Sequence, residues 1–462
     1  MSGAFFGLDL ALRALHAQQL GLDVTNHNVA NANTPGFSRQ EVALETTDPY
    51  TLPGMNRAQM AGQVGTGVVA AGIQRARDVF ADVQYRGEVS GQKQAQAQSD
   101  ALDEVEAVLN EPSGTGISDL FNKFFGAWQD VVNDPSDVAA RATLVEQASA
   151  LSAGFNRTAQ QLTTIQSNLN DRVKLDADQI NQISNQIAAL NRQIVQVEAL
   201  GQRANDFRDR RDQLLDQLSQ LVPVVSTEQA SGAINVTLGG HALITGQSVD
   251  ALTTPTGPGG MYEVRFTSDN TLANITSGEM AGLISARDTN VPGYLSQVNT
   301  IATNLLNAVN GLHAAGYGLD GGTGRAFFTG TDASNMAVNA AIVADPRLVA
   351  AASAPNQAGN STTALAIAQL RQTMTPPPES AYTSLIARLG VDAQSAKGVL
   401  ANQTVLVDLL DRRRQTVSGV SLDEESVQVI RYQRAYEAAA RLITANDELL
   451  DKLINNTGVV GR

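Results

Sequence analysis

Apolar side chains recur in alternating steps of three and four near both ends of the chain. The N-terminal stripe is interrupted by Gln19 and Asn26 and consists of Phe5, Leu8, Leu12, Leu15, Leu22 and Val29. The C-terminal stripe consists of Val429, Tyr432, Tyr436, Ala439, Ile443, Asn446, Leu450 and Leu453. This spacing places each set on one helical face. It predicts an antiparallel coiled coil between the two ends, although two unrelated amphipathic helices packed on a core fit the same pattern.

A second apolar stripe runs beside the first in the C-terminal helix. Its members are Ala435, Ala438, Leu442, Ala445 and Leu449. Two adjacent stripes are typical of a helix that is buried against more than one neighbour. A thin stripe alone repays little ordering entropy, so about the first 30 to 60 and the last 40 residues are expected to be poorly ordered in the monomer.

The middle of the chain has helical periodicity from about 78 to 222. Phe121, Phe124, Phe125 and Trp128 are spaced for one helical face and predict core packing. "NDPSDVAAR" places Asp134 and Pro135 where a helix cap and a first helical residue belong.

Beyond Pro223 the apolar period changes from helical to alternating. Ile234, Val236 and Leu238 precede Gly239 and Gly240, which predicts a hairpin. Helical patterns return after 279 and continue to the C-terminal stripe. The sequence therefore predicts a mainly α protein with a smaller β domain. We divide it into a terminal coiled-coil layer (1–60 and 415–462), a helical-bundle domain (61–222 and 280–414) and an inserted β-rich outer domain (223–279).

A turn is predicted directly after the N-terminal helix. Proline cannot continue a helix and glycine tolerates a left-handed conformation. The turn consists of Asn33, Thr34, Pro35, Gly36 and Phe37, and we expect Phe37 to pack as an anchor. The asparagines around it suit either bonds within the chain or bonds to a neighbouring copy.

Composition narrows the class of protein. The 462 residues carry a net charge of −14, which disfavours nucleic-acid binding. We interpret the short basic run Asp411–Arg414 as a solvated helix face. The absence of cysteine excludes disulfides and thiolate metal sites. No apolar run reaches the roughly 20 residues of a membrane span, and the N-terminus lacks the basic region and cleavage site of a signal peptide.

Motifs for chemistry are missing from the sequence. His16, His27, His241 and His313 are scattered, and neither a nucleophile elbow nor a phosphate loop is present. We therefore predict no catalytic residue, cofactor or metal. A cell-wall hydrolase is the alternative from a different class, and its candidate carboxylates in the β insertion are Glu228, Asp250 and Glu263.

Five segments together resemble one protein family. "NVANANTPGFSRQEV" and the C-terminal "SGVSLDEESVQVIRYQRAYEAAARLITANDELLDKLINN" are similar to the signatures of bacterial flagellar rod, hook and hook-associated proteins. Three interior segments, at 65–86, 110–141 and 204–222, resemble the hook-associated protein 1 family within that group. The likeness covers nearly the whole chain.

The resemblance implies a structural role. Members of the family form a junction ring that adapts the hook lattice to the filament, with paired terminal helices lining the tube. The implied partners are the hook protein, hook-associated protein 3, further copies of the chain and a flagellar export chaperone. The implied location is extracellular, on the flagellum, after export without a cleaved signal. A hook or distal rod subunit is the alternative.

Overall fold

The computed structural model describes residues 5–49, 64–109 and 116–455. The α-helices in these ranges are α1 (Phe6–Asn31), α2 (Val79–Leu109), α3 (Ile117–Asn133), α4 (Val138–Glu198), α5 (Asn205–Leu221), α6 (Glu279–Ser285), α7 (Val291–Ala315), α8 (Ala340–Ala344), α9 (Thr362–Thr373), α10 (Pro378–Ser418) and α11 (Leu422–Asn455). The strands are β1 (Gln40–Thr46), β2 (Val68–Arg75), β3 (Val224–Glu228), β4 (Ile234–Leu238), β5 (His241–Thr245), β6 (Ser248–Val249), β7 (Leu252–Thr253), β8 (Arg265–Phe266), β9 (Phe328–Thr329) and β10 (Ala337–Val338). The prediction of a mainly α protein with a smaller β portion is confirmed.

Helix α4 is the spine of the molecule and is 61 residues long. It begins after Asp137, whose carboxylate accepts a 2.8 Å hydrogen bond from the Ala139 amide. The prediction that Asp134 caps the helix is wrong, because the cap lies three residues later, at Asp137. The Asp134 carboxylate instead accepts bonds from the amide and hydroxyl of Ser136, and this closes a turn before the helix.

One contiguous apolar core joins the helices from α2 to α10 with the strands that follow Pro223. The predicted aromatic face of α3 is fully buried in it, with Trp128 against Phe327 at a ring-centroid distance of 5.3 Å. The described members of this core run from Ala97 to Ala393 and include no residue of α1, β1, β2 or α11. The two ends of the chain are therefore attached to the rest by other contacts.

The strands between 224 and 266 lie along α4. Strands β3 to β6 form an antiparallel meander, and Gly239 and Gly240 take positive φ at the predicted β4–β5 hairpin. The amide side chain of Asn181 bonds both the N–H and the carbonyl of Leu252, at 2.7 and 2.8 Å. Asn191 does the same with Ile234. These side chains complete the edge hydrogen bonds of the strands and fix them to the spine.

Two antiparallel helix pairs bring the N-terminal and C-terminal parts of the chain together. α10 packs along α2, with Arg414 of α10 bonded to Asp82 of α2 at 2.8 Å. α11 packs along α1, and the antiparallel hairpin β1–β2 also packs on α1. In the described ranges, no helix has the length and apolar character that crossing a membrane requires.

Candidate assembly site

The seam between α1 and α11 is built from small residues. We call these two helices, residues 6–31 and 422–455, the terminal layer. Gly7 approaches Asn446 and Gly21 approaches Tyr432, which defines an antiparallel register. A Cβ atom added to Gly21 would lie 2.5 Å from the Tyr432 ring, and Ala439 is only 4% exposed. Glycine and alanine thus let the two backbones approach closely.

The predicted C-terminal stripe faces α1. Ala439 is buried and Tyr436 is 36% exposed at its border. The partly buried members are Val429, Tyr432, Ile443, Asn446 and Leu450. The side chain of Leu453 lies outside the described residues.

The predicted N-terminal stripe lies at the edge of its interface. Leu8, Leu15 and Leu22 are partly buried, but Phe5 and Leu12 are 65% and 44% exposed. Val29 is also exposed. The buried positions are Ala11, Ala17, Gly21, Val24, Thr25 and Asn28. The burial is displaced because α1 has two neighbours, α11 and the hairpin, whereas the stripe was drawn for a single partner.

The segment after α1 forms the predicted turn. The Phe37 amide donates to the Thr34 carbonyl at 3.2 Å, and Gly36 takes a φ of 80°. Phe37 packs edge-on against His27 with ring centroids 5.3 Å apart. Exposed Asn33 and Pro35 line one wall of a cleft of about 810 Å³. The other lining residues come from the α2 and α5 region and from the α10–α11 connection, and they include Arg77, Tyr85, Asp216, Arg414 and Ser418.

Asn28 ties the terminal layer to the hairpin within one subunit. Its Oδ1 accepts from the Gln40 amide, and its Nδ2 donates to the Gln40 carbonyl, both at 2.9 Å. Nδ2 also donates to Glu425 Oε2 of α11 at 3.1 Å, and both Asn28 and Glu425 are at least 97% buried. Of the asparagines around the turn, Asn28 therefore bonds within the chain and not to a neighbouring copy. Asn31 also bonds within the chain, where its side-chain amide donates to the His27 carbonyl.

A buried chain of alternating charges lies under the hairpin. It joins β2, α2, α5 and α10, and none of its side chains is more than 19% exposed. Its members are Arg75, Arg77, Arg86, Arg414, Asp82, Asp209, Asp212 and Asp216. Burial raises the pKa of Asp212, but the charges of Arg77 and Arg75 outweigh it and hold that pKa below its ordinary value. Ser38 enters the network through its amide and hydroxyl, which both donate to Asp209.

The basic run at 411–414 is only partly a solvated face. Arg412 and Arg413 are exposed, as predicted. For Arg414 the prediction is wrong, because it bonds Asp82 and Asp216 and stacks on Tyr85 with 4.1 Å to the ring centroid. The sequence patterns alone gave no prediction for the network residues. The signal was present in the Asp and Arg spacing of "NDFRDRRDQLLDQ", which places Asp209 and Asp212 on the buried side of α5.

The candidate residues for chemistry are dispersed over the described chain. Glu228 pairs with Arg208, Glu263 pairs with Arg265, and Asp250 bonds His241 and Ser268. Within the described ranges, no group of three or more histidine, aspartate or glutamate side chains is arranged to hold a metal ion. At the two ends of the chain, the packing and hydrogen bonds of α1 and α11 instead hold the outer surfaces of these helices in place.

Models of known protein families match the interior and both ends of the chain. The family model described as the flagellar hook-associated protein FlgK helical domain matches residues 102–328. The models for the flagellar basal body rod protein and the C-terminal part of the rod proteins FlgEFG match residues 8–37 and 414–456. The ends of the chain are thus shared with rod proteins, and the interior distinguishes it from them.

Full-length relatives and a solved structure give the same family. Flagellar hook-associated protein 1 of Bacillus subtilis is 33% identical over 100% of both chains. The Escherichia coli protein of the same name is 25% identical over 96% of this chain and 98% of its own. The structure of the flagellar hook junction protein FlgK from Burkholderia pseudomallei, at 16% identity, has the same fold, with a TM-score of 0.65 over 73% of this chain and 100% of that one. The chain belongs to the flagellar hook-associated protein 1 family.

Proposed function

We propose that this chain is a structural subunit of the junction ring between the flagellar hook and the filament. One observation carries the proposal. Large apolar side chains stay exposed along both terminal helices. Exposed apolar patches of this kind mark surfaces at which a protein contacts a partner. On α11, Leu442, Leu449 and Ile454 are 52%, 59% and 72% exposed. On α1, Leu12 and Val29 are 44% and 41% exposed, and Phe5, directly before the helix, is 65% exposed.

These side chains suit head-to-tail packing between copies of the chain. Leu442 and Leu449 belong to the second apolar stripe of α11, which α1 leaves uncovered. A heterologous contact of this kind generates rings or helical tubes. The partners are then further copies of the chain, the hook protein below, hook-associated protein 3 above and an export chaperone before assembly. The place of action is outside the cell on the flagellum, reached without a cleaved signal, and the chain has no enzymatic activity.

A hook or distal rod subunit is the alternative within the same class. Its support is the pair of terminal matches to rod protein models. The match of the hook-associated helical domain over residues 102–328 favours the junction protein.

Deletion of the gene tests the proposal. We expect hooks without filaments, with flagellin released into the medium. Normal filaments on the deletion strain would refute the junction role, and absent hooks would favour the alternative.

A pair of point variants tests the surface itself in the complemented deletion strain. Leu442→Asp places a charge on the exposed apolar stripe, while Gln433→Asp adds the same charge at an exposed polar position of α11. We expect both proteins to fold, with filaments restored by Gln433→Asp and lost with Leu442→Asp. Equal motility of the two strains would remove the stripe from the interface.

A further inference from the structure

Helix α10 exposes large apolar side chains on the face that points away from the helical domain. Five of them, which we call the α10 stripe, are between 44% and 68% exposed: Val391, Val399, Val405, Leu406 and Leu409. The other face of α10 is covered by α2, where the Gln92 side-chain amide donates to the Thr404 hydroxyl at 3.0 Å. A surface helix of a globular domain usually has one apolar face. Helix α10 therefore carries a second one, which the subunit leaves uncovered.

The burial pattern fixes the direction of the α10 stripe. Val407 is 8% exposed and lies on the α2 side, one turn from Gln403, whose side chain lies next to Gly91 of α2. Val405 and Leu409 are each two residues from Val407, and two residues correspond to about 200° of rotation in an α-helix. The α10 stripe therefore faces away from α2.

Helix α2 exposes a second apolar patch near its N-terminus. Val79, Phe80 and Val83 are 72%, 63% and 56% exposed, and we call them the α2 patch. Val83 lies two residues before Tyr85, whose ring stacks on Arg414 of α10 with 4.1 Å to the ring centroid. By the same helical geometry, the α2 patch faces away from α10.

The two surfaces lie at similar heights on opposite sides of the helix pair. α2 and α10 are antiparallel, and Thr404 is bonded to Gln92 at one level. Arg414 is bonded to Asp82 further along the pair. Leu409 is midway between Thr404 and Arg414, so it lies level with position 87 of α2, about one turn from the α2 patch. A second copy placed beside the first at nearly the same height thus brings its α2 patch against the α10 stripe.

We propose that the α10 stripe of one copy binds the α2 patch of the next copy in the assembly. Both halves of this contact are present on the chain, and each buries apolar surface that water covers in the monomer. Because the two surfaces differ and face opposite ways, the packing is head-to-tail and repeats from copy to copy. Pairing of the α10 stripe with itself would stop at a dimer.

The contact rests on the proposed function, since it requires copies of the chain side by side in an assembly. It lies wholly in the helical domain, because neither surface includes a residue of α1 or α11. It therefore adds a second attachment to the one proposed for the terminal helices, and it does not depend on how well those helices are ordered in the monomer.

Cysteine cross-linking in isolated flagella tests the contact. The chain has no cysteine, so Val405→Cys on α10 and Val83→Cys on α2 introduce the only thiols. Flagella from the complemented deletion strain are treated with a short bismaleimide and probed on a denaturing gel with an antibody against this chain. We expect a ladder of multimers when one chain carries both cysteines. Either cysteine alone should leave the chain monomeric on the gel.

Leu175 provides matched controls on another face of the molecule. It lies on α4 and is 65% exposed, close to the 60% of Leu409. Val405→Cys combined with Leu175→Cys should give no ladder. Leu409→Asp, added to the reactive cysteine pair, should lower the total amount of ladder about tenfold, since it places a charge in an apolar contact. Leu175→Asp should leave the ladder unchanged, and both purified variants should unfold at the temperature of the parent because both leucines are exposed.

Two results would overturn the contact. One is the absence of a ladder from flagella that contain the double-cysteine protein. The other is cross-linking of Val405→Cys alone, either to a second copy, which would pair the α10 stripe with itself, or to a different protein, which would give the stripe another partner. The junction role fails separately: a ladder in a strain whose gene deletion leaves normal filaments would refute that role and retain the contact between copies.

Discussion

Asp176 is a buried carboxyl group on α4 that favours its protonated form. It is 8% exposed, and burial together with the nearby charge of Glu279 raises its pKa to about 7. The folded protein therefore binds this proton more tightly than the unfolded chain does. The stability contributed by the proton is present at acidic pH and is lost as the pH rises through about 7.

An Asp176→Asn variant is expected to be more stable than the parent at alkaline pH. The amide mimics the protonated acid and removes the cost of a buried charge. At pH 8 we expect a gain of about 2 kcal/mol in the free energy of unfolding, and near pH 4 little difference. Denaturant titrations at the two pH values measure it. Asp178→Asn, at an exposed position of the same helix, is the control, and an equal gain from both would contradict the argument.

His313 has the opposite pH dependence. It is 1% exposed; its Nδ1–H donates to the Arg325 carbonyl at 2.8 Å and its Nε2 accepts from the Ala350 amide at 2.9 Å. Because a carbonyl only accepts and an amide N–H only donates, these partners fix the neutral tautomer. Burial is the main cause that lowers the pKa of His313 to about 4.

The parent protein should lose stability as the pH falls from about 6.5 to about 4, since protonation of His313 breaks the bond from Ala350. This slope opposes that of Asp176, so it is best measured in the Asp176→Asn background. His313→Gln should flatten the acid slope and also cost about 1–3 kcal/mol at pH 7 through unsatisfied backbone groups. Exposed His16→Gln is the control. An unchanged acid slope in His313→Gln would assign the effect to other groups.

At the scale of elements, replacing a helical glycine by alanine should change stability in opposite directions inside and outside the α1–α11 seam. Gly21→Ala would force a methyl group against the Tyr432 ring and should destabilise the pairing by about 1–3 kcal/mol. Gly126→Ala on α3 meets no atom within 4 Å and should stabilise the protein by roughly 0.5–1 kcal/mol through helix propensity. Label distances between α1 and α11 and thermal unfolding check the two. A Gly21→Ala protein with intact pairing would mean that the helices are further apart.

The sequence could predict the features of these elements that depend on local patterns, but not those that depend on tertiary contacts. Helix periods, the Pro223 boundary and the aromatic face of α3 are local patterns, and all are present in the structure. The seam of α1 was misplaced because periodicity weighs apolar size, while Gly21 contributes by having none. The charged network was missed because its aspartates and arginines come from four separate segments, and only the tertiary fold pairs them. Asn28 looked like one of several turn asparagines until Glu425 was placed beside it.

At the scale of the whole molecule, stability should be divided unevenly between the core and the ends. The structure describes α1 and α11 as helices, but their seam is narrow, and α11 packs chiefly on α1. Long helices without a broad apolar contact are only marginally stable. In the monomer we therefore expect α1 and α11 to open locally far more often than the core unfolds.

Hydrogen exchange of the dilute monomer measures that difference. Amides in the buried centre of α4 should exchange only through global unfolding, and amides of α1 and α11 through local opening at least about a hundred times more often. Exchange in α2 near Ala97, a buried member of the core, should be slow like that of α4 and serves as the internal control. Because α11 packs chiefly on α1, Gly21→Ala should accelerate exchange in both helices and leave α4 unchanged. Protection of the terminal layer equal to that of α4 would show that the ends are already fully stable before any partner binds.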